Sequence, residues 1–106
     1  MARDVQKEIQ DQVTQNNVVL YMKGTKHMPQ CGFSATAVNI LNHLGVDFVD
    51  VNVLTDPAIR DGVKQFADWP TIPQLYIKGE FIGGCDIMKE MFAKGELQQL
   101  VENRLK

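Results

Sequence analysis

Five consecutive apolar residues, Val18-Val19-Leu20-Tyr21-Met22, constrain this chain more than any other segment. A strand apolar on both faces cannot leave either face in water, so it belongs in the interior of a sheet that helices cover on both sides. The helices are at hand. Upstream, Val5, Ile9 and Val13 recur every fourth residue through a polar segment, with Asp4 placed to cap its start and Asn16-Asn17 to end it. Downstream, a polar loop from Lys23 to Gln30 leads to Cys31. After it, Ala37, Val38, Ile40, Leu41 and Leu44 return to helical spacing, and Gly45 supplies a C-terminal cap.

The same reading orders the rest of the chain. Asp47 to Val53 alternates apolar and polar residues as a second strand, and Asp56-Pro57 then sets the N-cap and first residue of a helix through about Phe66. Gln74 to Lys78 and Phe81-Ile82 flank Gly79-Glu80, the pattern of a hairpin with a two-residue turn. After Gly83-Gly84 come a helix with Ile87, Met88, Met91 and Phe92, a break at Gly95, and a last helix carrying Leu97, Leu100 and Val101. The order α-β-α-β-α-β-β-α-α predicts an α/β fold: a four-stranded mixed sheet, parallel in its first half and antiparallel in its second, with helices on both faces.

Size and charge narrow the function classes. A chain of 106 residues makes one domain, expected over 1–106, large enough to hold its own core. With 11 basic against 13 acidic residues the net charge is -2, which gives no general attraction for phosphate, so nucleic acid is not an expected partner. No apolar run approaches the roughly 18–20 residues of a membrane span, and no membrane role is expected. The N-terminus is charged at once and lacks the apolar core of a signal peptide, which predicts a cytoplasmic location, or an organelle matrix if a presequence was removed.

Two cysteines are too few for a disulfide scaffold, and their placement matters more than their number. Cys31 heads a helix at the mouth of the first β-α turn, the sheet edge where ligand sites concentrate. Unpaired N–H groups and the positive end of the helix dipole favour thiolate over thiol there. A thiolate can attack a disulfide or bind a metal. Ser34, three positions on, carries a hydroxyl where a dithiol enzyme needs its resolving thiol. Cys85 lies 54 positions beyond Cys31 in sequence (85 − 31), and either resolves a mixed disulfide or only lines the site.

Three motifs in order, Cys31-Gly32-Phe33-Ser34, Trp69-Pro70-Thr71-Ile72-Pro73 and Gly83-Gly84-Cys85-Asp86, together with the element order, resemble the CGFS-type monothiol glutaredoxins of the thioredoxin fold. The likeness runs from about Val5 to Leu100. It implies a glutathione-dependent carrier and donor of 2Fe-2S clusters in iron-sulfur protein maturation. Such a cluster wants four thiolate-type ligands. The resemblance implies that two protomers each give the motif cysteine, here Cys31, and two glutathione molecules give the others, so the cluster bridges a homodimer. It also implies apo iron-sulfur proteins as recipients and a BolA-like protein as partner. The alternative is a glutathione-dependent thiol-disulfide oxidoreductase that removes glutathione from proteins with Cys31 as nucleophile. The missing second motif cysteine argues for weak or no classical activity of that kind.

For glutathione the resemblance implies a residue-by-residue site. Lys23 and Arg60 meet the glycine carboxylate. Thr71, Ile72 and Pro73, the family's cis-proline segment, pair their backbone with the cysteinyl part. Gly84, Cys85 and Asp86 receive the γ-glutamyl end, with helix N–H groups toward its carboxylate and the Asp86 carboxylate toward its ammonium. Asp86 also suits an ordinary N-cap, and Trp69 serves equally as a packing residue or at the site. Phe33 packs beside Cys31, and His27 reads as a solvated loop histidine. Lys26 departs from the family, many of whose members carry proline near this point.

Overall fold

The computed structural model describes residues 3–105; residues 1, 2 and 106 of the span expected as one domain lie outside the described residues. The chain runs α1 (Val5–Gln15), β1 (Val18–Met22), a short hairpin of β2 (Gly24–Thr25) and β3 (Met28–Pro29), and α2 (Gly32–Leu44). It continues through β4 (Val49–Asn52), a 3-10 turn (Val53–Thr55), α3 (Pro57–Ala67), β5 (Gln74–Ile77), β6 (Glu80–Gly83), α4 (Cys85–Ala93) and α5 (Glu96–Leu105). The main sheet has the order β4-β1-β5-β6, with β1 parallel to β4 and the β1-β5 and β5-β6 pairs antiparallel. This is the four-stranded mixed sheet of a thioredoxin-like α/β fold, and β1 is buried along its whole length.

The side-chain alternation of β1 divides the core into two layers. Val18, Leu20 and Met22 pack with Leu41 of α2, Met88 of α4 and Leu97 of α5. Val19 and Tyr21 face the other way, onto Ile9 and Val13 of α1 and Val63 of α3. α1 and α3 approach closely at Gly62, where a Cβ would stand 2.5 Å from Val5 Cγ1. Asp4 caps α1 by accepting from the Lys7 N–H at 3.0 Å, and Asp56 caps α3 by accepting from Ile59. Because Ile9 is fully buried against this layer, Ile9→Val is expected to cost about 1 kcal/mol, which denaturant unfolding will read.

Three boundaries differ from the sequence reading. The hairpin turn consists of Lys78 and Gly79, not Gly79-Glu80: both have positive φ (53° and 82°), and Glu80 already pairs with Ile77. A two-residue turn with both central residues left-handed matches the twist of the strands. The second strand covers only Val49–Asn52, because Val53 turns into the 3-10 segment with Asn52 as its cap. The third difference concerns the loop from Lys23 to Gln30, which contains the small β2-β3 hairpin. Its backbone is fastened to β4: the Gly24 N–H donates to Asn52 Oδ1 at 3.0 Å and the Lys26 N–H to Asp50 Oδ2 at 2.8 Å. Lys26 Nζ also donates to the Phe48 carbonyl at 3.0 Å and lies over the Phe48 ring. Lys26 thus holds by contacts a loop in which a proline would act by restricting the backbone.

Candidate functional site

Cys31 stands immediately before α2, in extended backbone (φ −149°, ψ 138°), at the N-cap position. Its side chain is half-buried, and it makes no close capping hydrogen bond. The thiol is nevertheless held below its ordinary pKa. The backbone N–H of Ser34 is the main cause, followed by that of Phe33, the charge of Lys23 and the Ser34 hydroxyl, against the opposing effect of partial burial. These are the groups that a helix start offers to an anion.

Ser34 is fully buried, and its Oγ accepts the Lys23 N–H at 3.0 Å. The position that would carry a resolving thiol therefore carries a hydroxyl that ties the end of β1 to the first turn of α2. The other cysteine is more deeply buried and less acidic. Cys85, the first residue of α4, is buried, and burial, with the negative charge of Asp86 next, pushes its thiol up. Both cysteines are free thiols. At pH 7 iodoacetamide is expected to label Cys31 at least about tenfold faster than Cys85, since the thiolate is the reactive form and access is unequal. Equal labelling of both sites in a peptide digest would contradict this assignment.

A groove of about 380 Å³ opens next to the Cys31 motif, with Lys23 and Phe33 in its wall; Cys31 itself is not among the residues that line it. Of the residues predicted for it, Lys23, Thr71, Ile72, Pro73, Gly84, Cys85 and Asp86 line it together. Its floor is the segment from Trp69 to Pro73, with a cis peptide at Ile72-Pro73. Gly84 is confined between this segment and α4: a Cβ there would lie 3.3 Å from both the Pro73 carbonyl and Trp69 Nε1. Gly84 is also the N-cap of α4 and offers no side chain, so the first N–H groups of that helix remain available at the groove.

Arg60 is not among the lining residues. It is half-buried on α3, with its Nε 3.4 Å from Asp61 Oδ1. Lys64, four residues and one helical turn further on, lines the groove instead, and the Trp69 N–H donates to its carbonyl at 3.0 Å. The sequence signal for Lys64 is its i, i+4 spacing from Arg60 on the helix that runs into the Trp69 segment. Phe33 stands at the rim, 64% exposed, and Trp69 and Ile87 complete the apolar part of the wall. His27 is exposed and outside the groove. The groove thus unites two lysines, a carboxylate and a free helix N-terminus in one peptide-sized cleft, and Cys31 stands two residues from Phe33 of its rim.

The described residues contain no group of three or more His, Cys, Asp or Glu side chains placed to hold a metal ion. One accessible cysteine is what the described residues offer at this edge, so a four-thiolate cluster fits only if other molecules supply the remaining ligands.

A family described as Glutaredoxin matches residues 18–82. A curated relative from Rickettsia typhi, named "Probable monothiol glutaredoxin 2", is 57% identical over 100 residues, covering 94% of this chain and 90% of the relative. The solution structure of reduced poplar apo GrxS14 superposes with a TM-score of 0.84 at 50% identity, covering 95% of this chain and 93% of that one. The crystal structure of a buckwheat glutaredoxin-glutathione complex shares the fold, with a TM-score of 0.83 at 24% identity over 93% of this chain and 88% of that one.

Proposed function

Because the chain belongs to the glutaredoxin family, and is a monothiol member of it, we propose that it is a glutathione-dependent carrier and donor of 2Fe-2S clusters for apo iron-sulfur proteins. The observation that carries this reading is the pairing of a half-exposed, readily ionised Cys31 with a buried Ser34 at the resolving position. A lone thiolate of this kind suits reversible ligation better than a self-contained disulfide cycle. In the proposed holo form two chains each contribute Cys31 and two glutathione molecules contribute the other thiolates. The family uses glutathione, and the groove next to the Cys31 motif has the features such a peptide needs. Lys23 and Lys64 suit its carboxylates, and the α4 N-terminus with Asp86 suits a group bearing both a carboxylate and an ammonium. Arg60 joins the glycine end only if its side chain leaves Asp61.

Borrowed ligands make the cluster transferable: withdrawal of glutathione or separation of the chains removes half of its coordination. A BolA-like protein in place of the second chain extends the same scheme. The cytoplasm, or an organelle matrix, is the compartment this reading assigns, since glutathione must be present and reduced. Anaerobic reconstitution with iron and sulfide tests the dependence: 2Fe-2S absorption is expected with glutathione and not without it. Equal yield in both would overturn the ligand set.

The lowered thiol pKa of Cys31 also favours a second reading, removal of glutathione from protein mixed disulfides. The Cys31 thiolate attacks the glutathione sulfur, the protein thiolate leaves, and a free glutathione thiolate then releases oxidised glutathione and restores Cys31. Rapid turnover of a glutathionylated peptide by the apo chain would place this activity first.

A further inference from the structure

Gln74 is fully buried, yet its side chain is wholly polar at the tip. Its Nε2 donates to the Trp69 carbonyl at 3.1 Å and to the Thr71 carbonyl at 3.2 Å, and its Oε1 accepts the Tyr76 hydroxyl at 3.0 Å. Every strong hydrogen-bonding direction of the carboxamide except one acceptor lone pair is therefore used. Two of the three bonds go to the segment that floors the groove. In a trans peptide the C=O and the following N–H point in opposite directions. With the Thr71 carbonyl drawn inward to Gln74, the Ile72 N–H points away from Gln74, and Thr71 and Ile72 both line the groove.

We infer that Gln74 is a positioning residue for glutathione: it touches no ligand itself and fixes the peptide plane that presents the Ile72 N–H to the groove. The inference rests on the reading that the groove holds glutathione. A network buried in a low-dielectric interior has few alternative arrangements, because each polar group left unpaired there is costly. Tyr76, itself buried, donates to Oε1 and so holds the carboxamide in the orientation in which Nε2 keeps both carbonyls.

The test is titration of the reduced apo chain with reduced glutathione, followed by backbone amide shifts, at a temperature where all variants are folded. Gln74→Met keeps the length of the side chain and removes both N–H donors together with the acceptor of the Tyr76 hydroxyl. It is expected to weaken binding about tenfold, with the Ile72 amide losing its ligand-dependent shift. Leu97→Ala, in the opposite core layer, is expected to lower the melting temperature and leave the dissociation constant unchanged, which separates positioning from simple destabilisation. Wild-type affinity in Gln74→Met would overturn the inference and leave the groove reading intact. No binding by the wild-type chain at millimolar glutathione would overturn both. If Gln74→Met does not fold, Tyr76→Phe carries the test: a loss of about threefold supports the inference and an unchanged affinity overturns it.

Discussion

Cys31→Ser is expected to abolish cluster binding and leave the fold intact. Serine keeps the shape of the side chain and removes the only property the proposal uses, since its hydroxyl does not ionise at neutral pH while the Cys31 thiol is held below its ordinary value. The helix does not suffer. Cys31 occupies the N-cap of α2, where serine is among the preferred residues, so the start of the helix is retained or slightly strengthened. Nor can the remaining thiol take over: Cys85 is buried and its pKa is pushed up by that burial. Bound iron after anaerobic reconstitution should fall to background, with the melting temperature within about 2 °C of wild type. Retention of stoichiometric iron by the folded variant would show that Cys31 is not the ligand.

Gly24→Ala is expected to be the most damaging of the small substitutions near the site. Gly24 adopts φ +92°, a region that residues with a Cβ rarely enter. A Cβ there would stand 2.6 Å from both the Gln30 nitrogen and the Met28 oxygen, which are backbone atoms and cannot swing aside. Relief requires opening the β2-β3 hairpin, and with it the Gly24 to Asn52 and Gln30 to Lys23 hydrogen bonds. Residual strain of about 1 kcal/mol, the low end for such a conformation, and about 1 kcal/mol for each of the two lost hydrogen bonds give a total near 3 kcal/mol. That corresponds to a fall in melting temperature of roughly 12–20 °C. The alkylation rate of Cys31 should change as well, because the hairpin leads directly into it. A variant within about 0.5 kcal/mol of wild type would mean that the loop does not depend on this conformation.

Much of the fold is legible in β1 alone. Its five apolar residues require cover on both faces, and the structure supplies α1 and α3 on one face and α2, α4 and α5 on the other. Caps read equally well, since the Asp4 and Asp56 carboxylates accept from N–H groups three residues on and Gly45 takes a left-handed turn, all within a few residues of sequence. The β2-β3 hairpin was not legible, because its anchors, Asp50 and Asn52, lie more than twenty residues away and act through side chains. The hairpin turn shifted by one residue because Lys78, a residue with no particular turn preference, takes positive φ beside Gly79.

The site follows the same division. Cys31 and the segments around Ile72-Pro73 and Gly84 are placed by turns and strand ends, so their motifs and spacing were informative. Cations on a helix are another matter: Arg60 and Lys64 differ by one turn, and only the packing of α3 against the Trp69 segment decides that Lys64 reaches the groove. Gln74 was legible only as the first residue of a strand, since its role lies in three hydrogen bonds made inside the core.

In the proposed holo form a cluster joins two chains through Cys31 and glutathione. Its most direct test is the visible absorption spectrum of the protein purified anaerobically with glutathione, taken with iron, sulfide and size-exclusion mass. A 2Fe-2S spectrum is expected, with one cluster per two chains, in a species of about twice the 12.0 kDa chain mass. A colourless monomer that also fails anaerobic reconstitution would contradict it and leave thiol chemistry at Cys31 as the function of the site.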